Sequence, residues 1–78
     1  MASASIEYSF RDDFKNEHLP VRDRIRKVLR AAEFKSGPQA HWELSARPLA
    51  DLLVASEKVL VIAKDARAIN RLSIRIDG

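Results

Sequence analysis

The chain has 78 residues, enough for one domain only, and its 46% hydrophobic and 32% charged residues are typical of a folded globular protein. The absence of cysteine excludes disulfides, thiolate zinc sites and cysteine nucleophiles. No apolar run approaches the roughly 18 residues of a membrane span, and residues 1–5 lack both the basic start and the apolar stretch of a signal peptide, so we expect a cytoplasmic protein. The net charge of +3 permits an acidic partner without requiring one.

The first predicted element is a strand over residues 5–11, where Ile6, Tyr8 and Phe10 alternate with polar neighbours. This period of two is typical of a strand with one buried face. A polar connector follows over residues 12–18. Pro20 suits the first turn of a helix, since its missing N–H is not needed there, and we expect a helix to begin near Leu19 or Pro20.

That first helix is predicted by an apolar stripe at helical spacing. The stripe consists of Val21, Ile25, Val28, Leu29 and Ala32. Gly37 is a candidate C-terminal cap and Pro38 cannot continue a helix, so the helix is expected to end within residues 34–36. A second short strand is expected over residues 39–44, with its alternate residues on one face.

A second helix is predicted over residues 46–66, capped by Ser45. Its apolar stripe, again at 3 and 4 spacing, consists of Leu49, Leu52, Leu53, Ser56, Val59, Leu60 and Ala63. The segment 59–62 also fits a buried strand, because its four apolar residues include three β-branched ones. We favour the helix, in which Val61 and Ile62 would be covered by other parts of a dimer. A last strand is predicted from Leu72 to the end of the chain.

The element order β-α-β-α-β predicts an α/β (α+β) fold, a two-layer sandwich of ferredoxin-like type in a single domain over residues 1–78. Both amphipathic helices would cover one face of a small sheet. The right-handed crossover of the first strand-helix-strand unit would leave its two strands parallel, either adjacent or separated by one strand.

The first candidate site is a basic stripe on the first helix. Arg22, Arg26 and Arg30 recur every four residues, with Lys27 nearby, and are expected to project away from much of the apolar stripe. A row of arginines binds phosphate groups well, so these four residues are the candidate contacts to RNA or DNA. The alternative is a solvated helix face that keeps a small protein in solution.

Asp12 and Asp13 follow the first strand and are candidate ligands of a Mg²⁺ ion that would support phosphodiester hydrolysis. Alternatively, they are turn residues, and adjacent side chains in an extended chain point apart. His18 and His41 could act as general acid or base, although we favour surface or interface positions for them. No motif defines an enzyme class or its catalytic residues, and no other cofactor is expected.

Two further groups have simple structural explanations. Tyr8 and Trp42 could stack on bases but are more typical of a sheet core or a subunit interface. A second basic group follows the second helix, where cations also complement the end of a helix. It consists of Arg67, Arg71 and Arg75.

In its order of elements the chain resembles the small ferredoxin-like proteins of the virulence-associated protein D and CRISPR-adaptation nuclease group. The resemblance covers the strand 6–11 with the following Asp12 and Asp13, the Arg-rich helix, the strand 40–44, the long second helix and the closing strand 72–76. It implies a dimer that acts on RNA or DNA, with an acidic residue after the first strand as a metal ligand. One of the four strands usual in that group is absent or very short here.

Two functions follow from the sequence. The first is a small homodimeric nucleic-acid-interacting protein of toxin-antitoxin or mobile-element type, with a metal-dependent endoribonuclease as its catalytic form. The alternative is a non-catalytic protein-interaction module, such as an antitoxin, immunity protein or phage inhibitor. Whether the protein is an enzyme is left open.

Overall fold

A computed structural model describes residues 1–37 and 40–78. These residues form four strands and two helices in the order β-α-β-β-α-β. The elements are β1 (Ala2–Phe10), α1 (Lys15–Ala31), β2 (Lys35–Ser36), β3 (His41–Arg47), α2 (Leu49–Asp65) and β4 (Ile69–Asp77). The predicted α+β sandwich of ferredoxin-like layout is confirmed.

The strands form one sheet in the order β2-β3-β1-β4, and each pair of neighbours is antiparallel. β1 lies in the interior of the sheet and pairs with both β3 and β4, whereas β4 is an edge strand. Since β1 and β2 are both antiparallel to β3, they are parallel to each other and separated by one strand. The predicted second strand, over residues 39–44, corresponds to β3, which lies beside β1 and is antiparallel to it, so the expectation of two parallel strands is wrong. The physical reason is that the chain forms β2 after α1 and then reverses direction into β3.

The core lies between the two helices and one face of the sheet. Alternate residues of β1, such as Ile6 and Tyr8, are buried on this face, and Trp42 of β3 is paired with Ile6. α1 contributes Val21, Ile25 and Leu29. The residues of α2 that complete it are Leu52, Ala55, Ser56, Val59 and Ile62. Several kcal/mol of stabilisation follow from burying such side chains, at about 1.5–3 kcal/mol each.

α1 begins at Lys15, so the predicted start near Leu19 or Pro20 is wrong. Pro20 lies inside the helix. The turn before it stays helical because its side chains find tertiary partners: His18 stacks on Phe10 with ring centroids 4.7 Å apart, and Glu17 pairs with Arg67. Such contacts offset the loss of stability that results from the hydrogen bond that the proline cannot donate.

The predicted end of α1 within residues 34–36 is also wrong, because the helix ends at Ala31. Glu33 takes the left-handed conformation, with φ of 69°. The Glu33 N–H donates to the Arg30 carbonyl and the Phe34 N–H donates to the Leu29 carbonyl, at 3.0 and 2.9 Å. These two bonds form a Schellman motif, and buried Phe34 and Leu29 complete it. Gly37 is therefore not the cap.

Residues 35–36 form the fourth strand, β2, which the sequence analysis noted as absent or very short. The second predicted strand, over residues 39–44, is β3, which begins at His41 and extends to Arg47. Gln39, the predicted first residue of this strand, and Pro38, which was expected to prevent continuation of α1, lie outside the described residues. Trp42 and Leu44 are buried as the alternation predicts.

α2 covers Leu49–Asp65, so residues 59–62 are helical as favoured and the strand alternative is wrong. Ile62 is buried in the chain's own core, so the expectation that a dimer covers it is wrong, whereas Val61 is exposed. The helix begins three residues later than predicted, because Ser45 belongs to β3 and Pro48 occupies the N-terminal cap position. The closing strand starts at Ile69 rather than Leu72. The closing strand is longer than predicted because it pairs with β1 as far as Phe10, which lies opposite Ile69.

Candidate nucleic-acid interface

The arginine row of α1 consists of Arg22, Arg26 and Arg30. An α-helix turns 100° and rises 1.5 Å per residue, so residues four apart follow one flank at intervals of about 6 Å. Arg22 and Arg26 are half-buried and Arg30 is exposed. The row therefore lies beside the apolar stripe and not opposite it, which corrects the prediction from the sequence.

The side chain of Arg22 lies against the protein. Its Nε atom is buried and has no hydrogen-bond partner among the described residues. Packing of the aliphatic stems restricts such arginines before any ligand binds, which lowers the entropy lost on binding. Arg22 is therefore the most restrained guanidinium group of the row, whereas Arg30 is exposed.

Positive charge is concentrated on α1. Residues 15–31 include six Lys or Arg and two Asp or Glu, a net charge of +4, while the remaining sequence has eight basic and nine acidic residues. Within residues 1–37 and 40–78, the arginine row and Lys27 form no ion pair. Arg47, Arg67 and Arg75 outside this helix each pair with a carboxylate. The largest excess of positive charge on one element of the described chain is therefore on α1.

Lys27 is separated from the arginine row. It lines an open cleft of about 620 Å³ between α1 and α2, together with Arg47, Lys58 and two acidic residues, Glu33 and Asp51. Small apolar side chains from both helices complete the cleft. Glu33 and Arg47 form an ion pair there. The four predicted contacts thus belong to two surfaces, three of them to one flank and Lys27 to the cleft.

Asp12 and Asp13, the predicted Mg²⁺ ligands, lie exposed in the turn between β1 and α1. No group of three or more His, Asp or Glu side chains in the described part of the chain could surround a metal ion. Within residues 1–37 and 40–78 no third His, Asp or Glu side chain joins these two carboxylates. Binding of Mg²⁺ by Asp12 and Asp13 stays a prediction from the sequence.

His41 lies on the face of the sheet away from the helices, between two carboxylates. In the imidazolium form its Nδ1–H donates to Glu7 at 2.6 Å and its Nε2–H donates to Glu43 at 2.9 Å. The hydrogen bond to Glu43, followed by that to Glu7, raises the pKa of the imidazole above its ordinary 6.5. Because both ring nitrogens are engaged in that form, His41 has a structural role and is not a free general base.

His18 has a structural position as well. Its Nε2–H donates to the Arg11 carbonyl at 2.6 Å while the ring stacks on Phe10. The end of β1 is thereby tied to the first turn of α1.

Tyr8 and Trp42 are buried in the core, 6% and 3% exposed, so neither is available to stack on a base. The second basic group does not form one surface. Arg67 pairs with Glu17 and lies over the Phe14 ring at 4.9 Å, near the start of α1. Arg71 and Arg75 lie on β4, where Arg75 pairs with Asp77 at 3.7 Å.

Sequence patterns did not predict the cluster of Glu7, His41 and Glu43. Glu43 lies two residues from His41 on a strand, a spacing that already indicates one face. Glu7 is brought opposite His41 by the β1–β3 register, which joins residues 34 positions apart. Nothing local in the sequence specifies that register.

The fold and this interface define a small ferredoxin-like α+β protein with one strongly basic helix. The chain matches no protein-family model, no curated protein and no solved structure. The resemblance to the virulence-associated protein D group therefore depends on the sequence pattern alone. Among the described residues, neither α1 nor α2 combines the length and apolar character needed to cross a membrane.

Proposed function

We propose that this protein binds nucleic acid through the arginine row of α1, contacting phosphate groups without distinguishing bases. The observation that carries the proposal is the net charge of +4 on one helix whose arginine row has no carboxylate partner in the described residues. Guanidinium groups bind phosphates bidentately, and binding releases counterions from the nucleic acid.

The burial of Tyr8 and Trp42 supports backbone contact over base stacking, since sequence-tolerant stacking requires exposed aromatic rings. We therefore expect similar affinities for unrelated RNA and DNA strands. A role in a toxin-antitoxin system or a mobile element stays a prediction from the sequence.

The experiment is a fluorescence-anisotropy titration with short labelled RNA and DNA at several salt concentrations. Three phosphate contacts to a single strand predict a slope of about −2 in log K against log salt. Affinity would then fall about 20-fold between roughly 50 and 200 mM salt. Arg26→Ala should reduce this loss to about 7-fold, since one of three contacts is removed.

Arg24→Ala is the matched control. It removes the same charge from the same helix, two residues away and therefore on another side, where Arg24 is exposed. The proposal requires the wild-type salt dependence in this variant. Equal effects of the two substitutions would assign binding to diffuse charge and not to the row, and absence of binding at low salt would refute the function.

A second candidate function is protein binding without catalysis. It is favoured by exposed apolar side chains on α2, among them Leu53 and Leu60, beside the edge strand β4. Retention of a protein partner by a chain that does not bind RNA or DNA at low salt would support this candidate over the first.

A further inference from the structure

The edge strand β4 is long and open. Its nine residues pair with β1 on one side, and no strand pairs with its other side within the described residues. In an antiparallel edge strand alternate residues direct their N–H and C=O groups outward. Such an edge is a template for another strand and is normally shortened, charged or covered.

Apolar side chains continue from this edge onto α2. Leu72, Ile74 and Ile76 of β4 are only half-buried, although they lie on the helix-covered face. They line a groove of about 420 Å³ with Leu53 and Leu60 of α2, both 51% exposed. Unlike scattered surface leucines, these five residues form a contiguous strip beside unpaired backbone.

The exposed leucines of α2 lie in one seam. Leu49, Leu53 and Leu60 are spaced by four and seven residues, and buried Ser56 lies between the last two in the groove. This repeat of three and four residues is the spacing with which one helix packs along another. Leu52 and Val59, from the same predicted stripe, are instead fully buried in the chain's own core. The helix thus has one face for its own sheet and a second apolar seam beside the β4 edge.

The edge is complementary to itself in one register. If two β4 strands pair antiparallel about a twofold axis at Ile74, this residue meets its own copy and Leu72 lies opposite the partner's Ile76. On the other face Arg71 lies opposite the partner's Asp77, twice by symmetry. Opposite charges directly across a strand pair are stabilising.

Other registers lose this match. A shift of the pairing by two residues in one direction places Arg71 opposite the partner's Arg75, and in the other direction it places Arg75 opposite its own copy. Like charges directly opposite are destabilising. A shift by one residue sets apolar side chains of one strand on the polar face of the other. Charge and alternation therefore select the register centred on Ile74.

We propose that two copies of this protein join through their β4 edges in this register, forming a continuous eight-stranded sheet on which the seam of α2 packs against that of its partner. The interface is isologous, because the same surface is used by both copies. The inference goes beyond the proposed nucleic-acid binding and does not depend on it, since α1 contributes nothing to the interface.

The first test is sedimentation of the full chain at micromolar concentrations. We expect twice the chain mass of 8.8 kDa. Leu60→Lys should raise the dissociation constant of the dimer at least about tenfold, since each copy would bring a charged ammonium group into the apolar seam. Val61→Lys is the matched control, because Val61 is 55% exposed on the adjacent position of the same helix and faces away from the seam.

The register is tested by exchange of charges. Asp77→Arg places arginines opposite each other and should weaken the dimer, whereas the double variant Asp77→Arg with Arg71→Asp restores opposite charges and should recover it. Circular dichroism checks that every variant is folded.

A monomeric wild-type chain would overturn the dimer, equal behaviour of Leu60→Lys and Val61→Lys would overturn the surface, and failure of the exchange to recover association would overturn the register. Nucleic-acid binding by the Leu60→Lys monomer is measured separately. Its loss or retention does not alter these outcomes, so the two proposals fail independently.

Discussion

Substitution of Glu33 by glycine should stabilise the protein, because Glu33 is a non-glycine residue in the left-handed conformation at the end of α1. An L-residue at such a φ is less stable than glycine by about 1 kcal/mol. Glu33→Gly also removes the ion pair with Arg47. Both side chains are well exposed, 69% for Glu33 and 41% for Arg47, so this pair contributes about 0.2–1 kcal/mol. The net gain of Glu33→Gly over the wild type is therefore about 0–0.8 kcal/mol.

Glu33→Gln separates the two contributions, since it removes the charge and keeps the strained backbone. The glycine variant should exceed it by about 1 kcal/mol, which for a domain of this size corresponds to about 4–8 °C in the midpoint of thermal unfolding. The matched control is Glu57→Gly, at an exposed position inside α2, where glycine should cost about 0.5–1 kcal/mol. Circular dichroism during heating measures all four proteins.

The direction in which the thermal midpoint moves shows whether residue 33 is left-handed or helical. If Glu33→Gly unfolds at a lower temperature than Glu33→Gln, the left-handed conformation of residue 33 at the end of α1 is refuted. A loss in both glycine variants would instead mean that residue 33 behaves as ordinary helix.

Three further predictions concern the core, the first helix and pH. Leu52→Ala should cost about 2–5 kcal/mol, because Leu52 is fully buried, and an unchanged urea midpoint would contradict its place in the core. Pro20→Ala should raise the urea midpoint by restoring an N–H that can donate to the Asn16 carbonyl, whereas a lower midpoint would show that the proline does not interrupt the helix. Because the pKa of His41 is raised on folding, its stabilisation is complete below pH 6.5 and is lost as pH rises through the folded-state value. Thermal midpoints measured across this range should lose that pH dependence in His41→Gln, and identical profiles would refute the ion cluster.

Repeating patterns of apolar residues in the sequence were sufficient to predict which side of each long helix and strand is buried. The alternation of Ile6 and Tyr8 predicted the buried face of β1, and the spacing of Val21, Ile25 and Leu29 predicted the buried stripe of α1. Periodicity determines these features because burial of apolar area depends on which side of an element a residue occupies. The helical state of residues 59–62 followed from the same reasoning.

Element ends could not be predicted this way, since they depend on contacts between distant residues. Lys15 begins α1 because the turn before Pro20 is held by Phe10 and Arg67, and Glu33 ends it at a conformation that its side chain disfavours. The two residues of β2 are too few for any period to show. They are a strand only because β3 pairs with them.

For the candidate surfaces, too, some features were set by the sequence and others by tertiary contacts. The sequence by itself determined the repeat of Arg22, Arg26 and Arg30, because four-residue spacing on a helix sets one flank. Only the tertiary structure decided that these three arginines form no ion pair within the described residues, and that Glu7 contacts His41. It also decided that Leu52 is buried while Leu53 is exposed beside an open edge strand. The physical reason is that charge pairing and burial are relations between elements, and the order of strands in the sheet sets which elements meet.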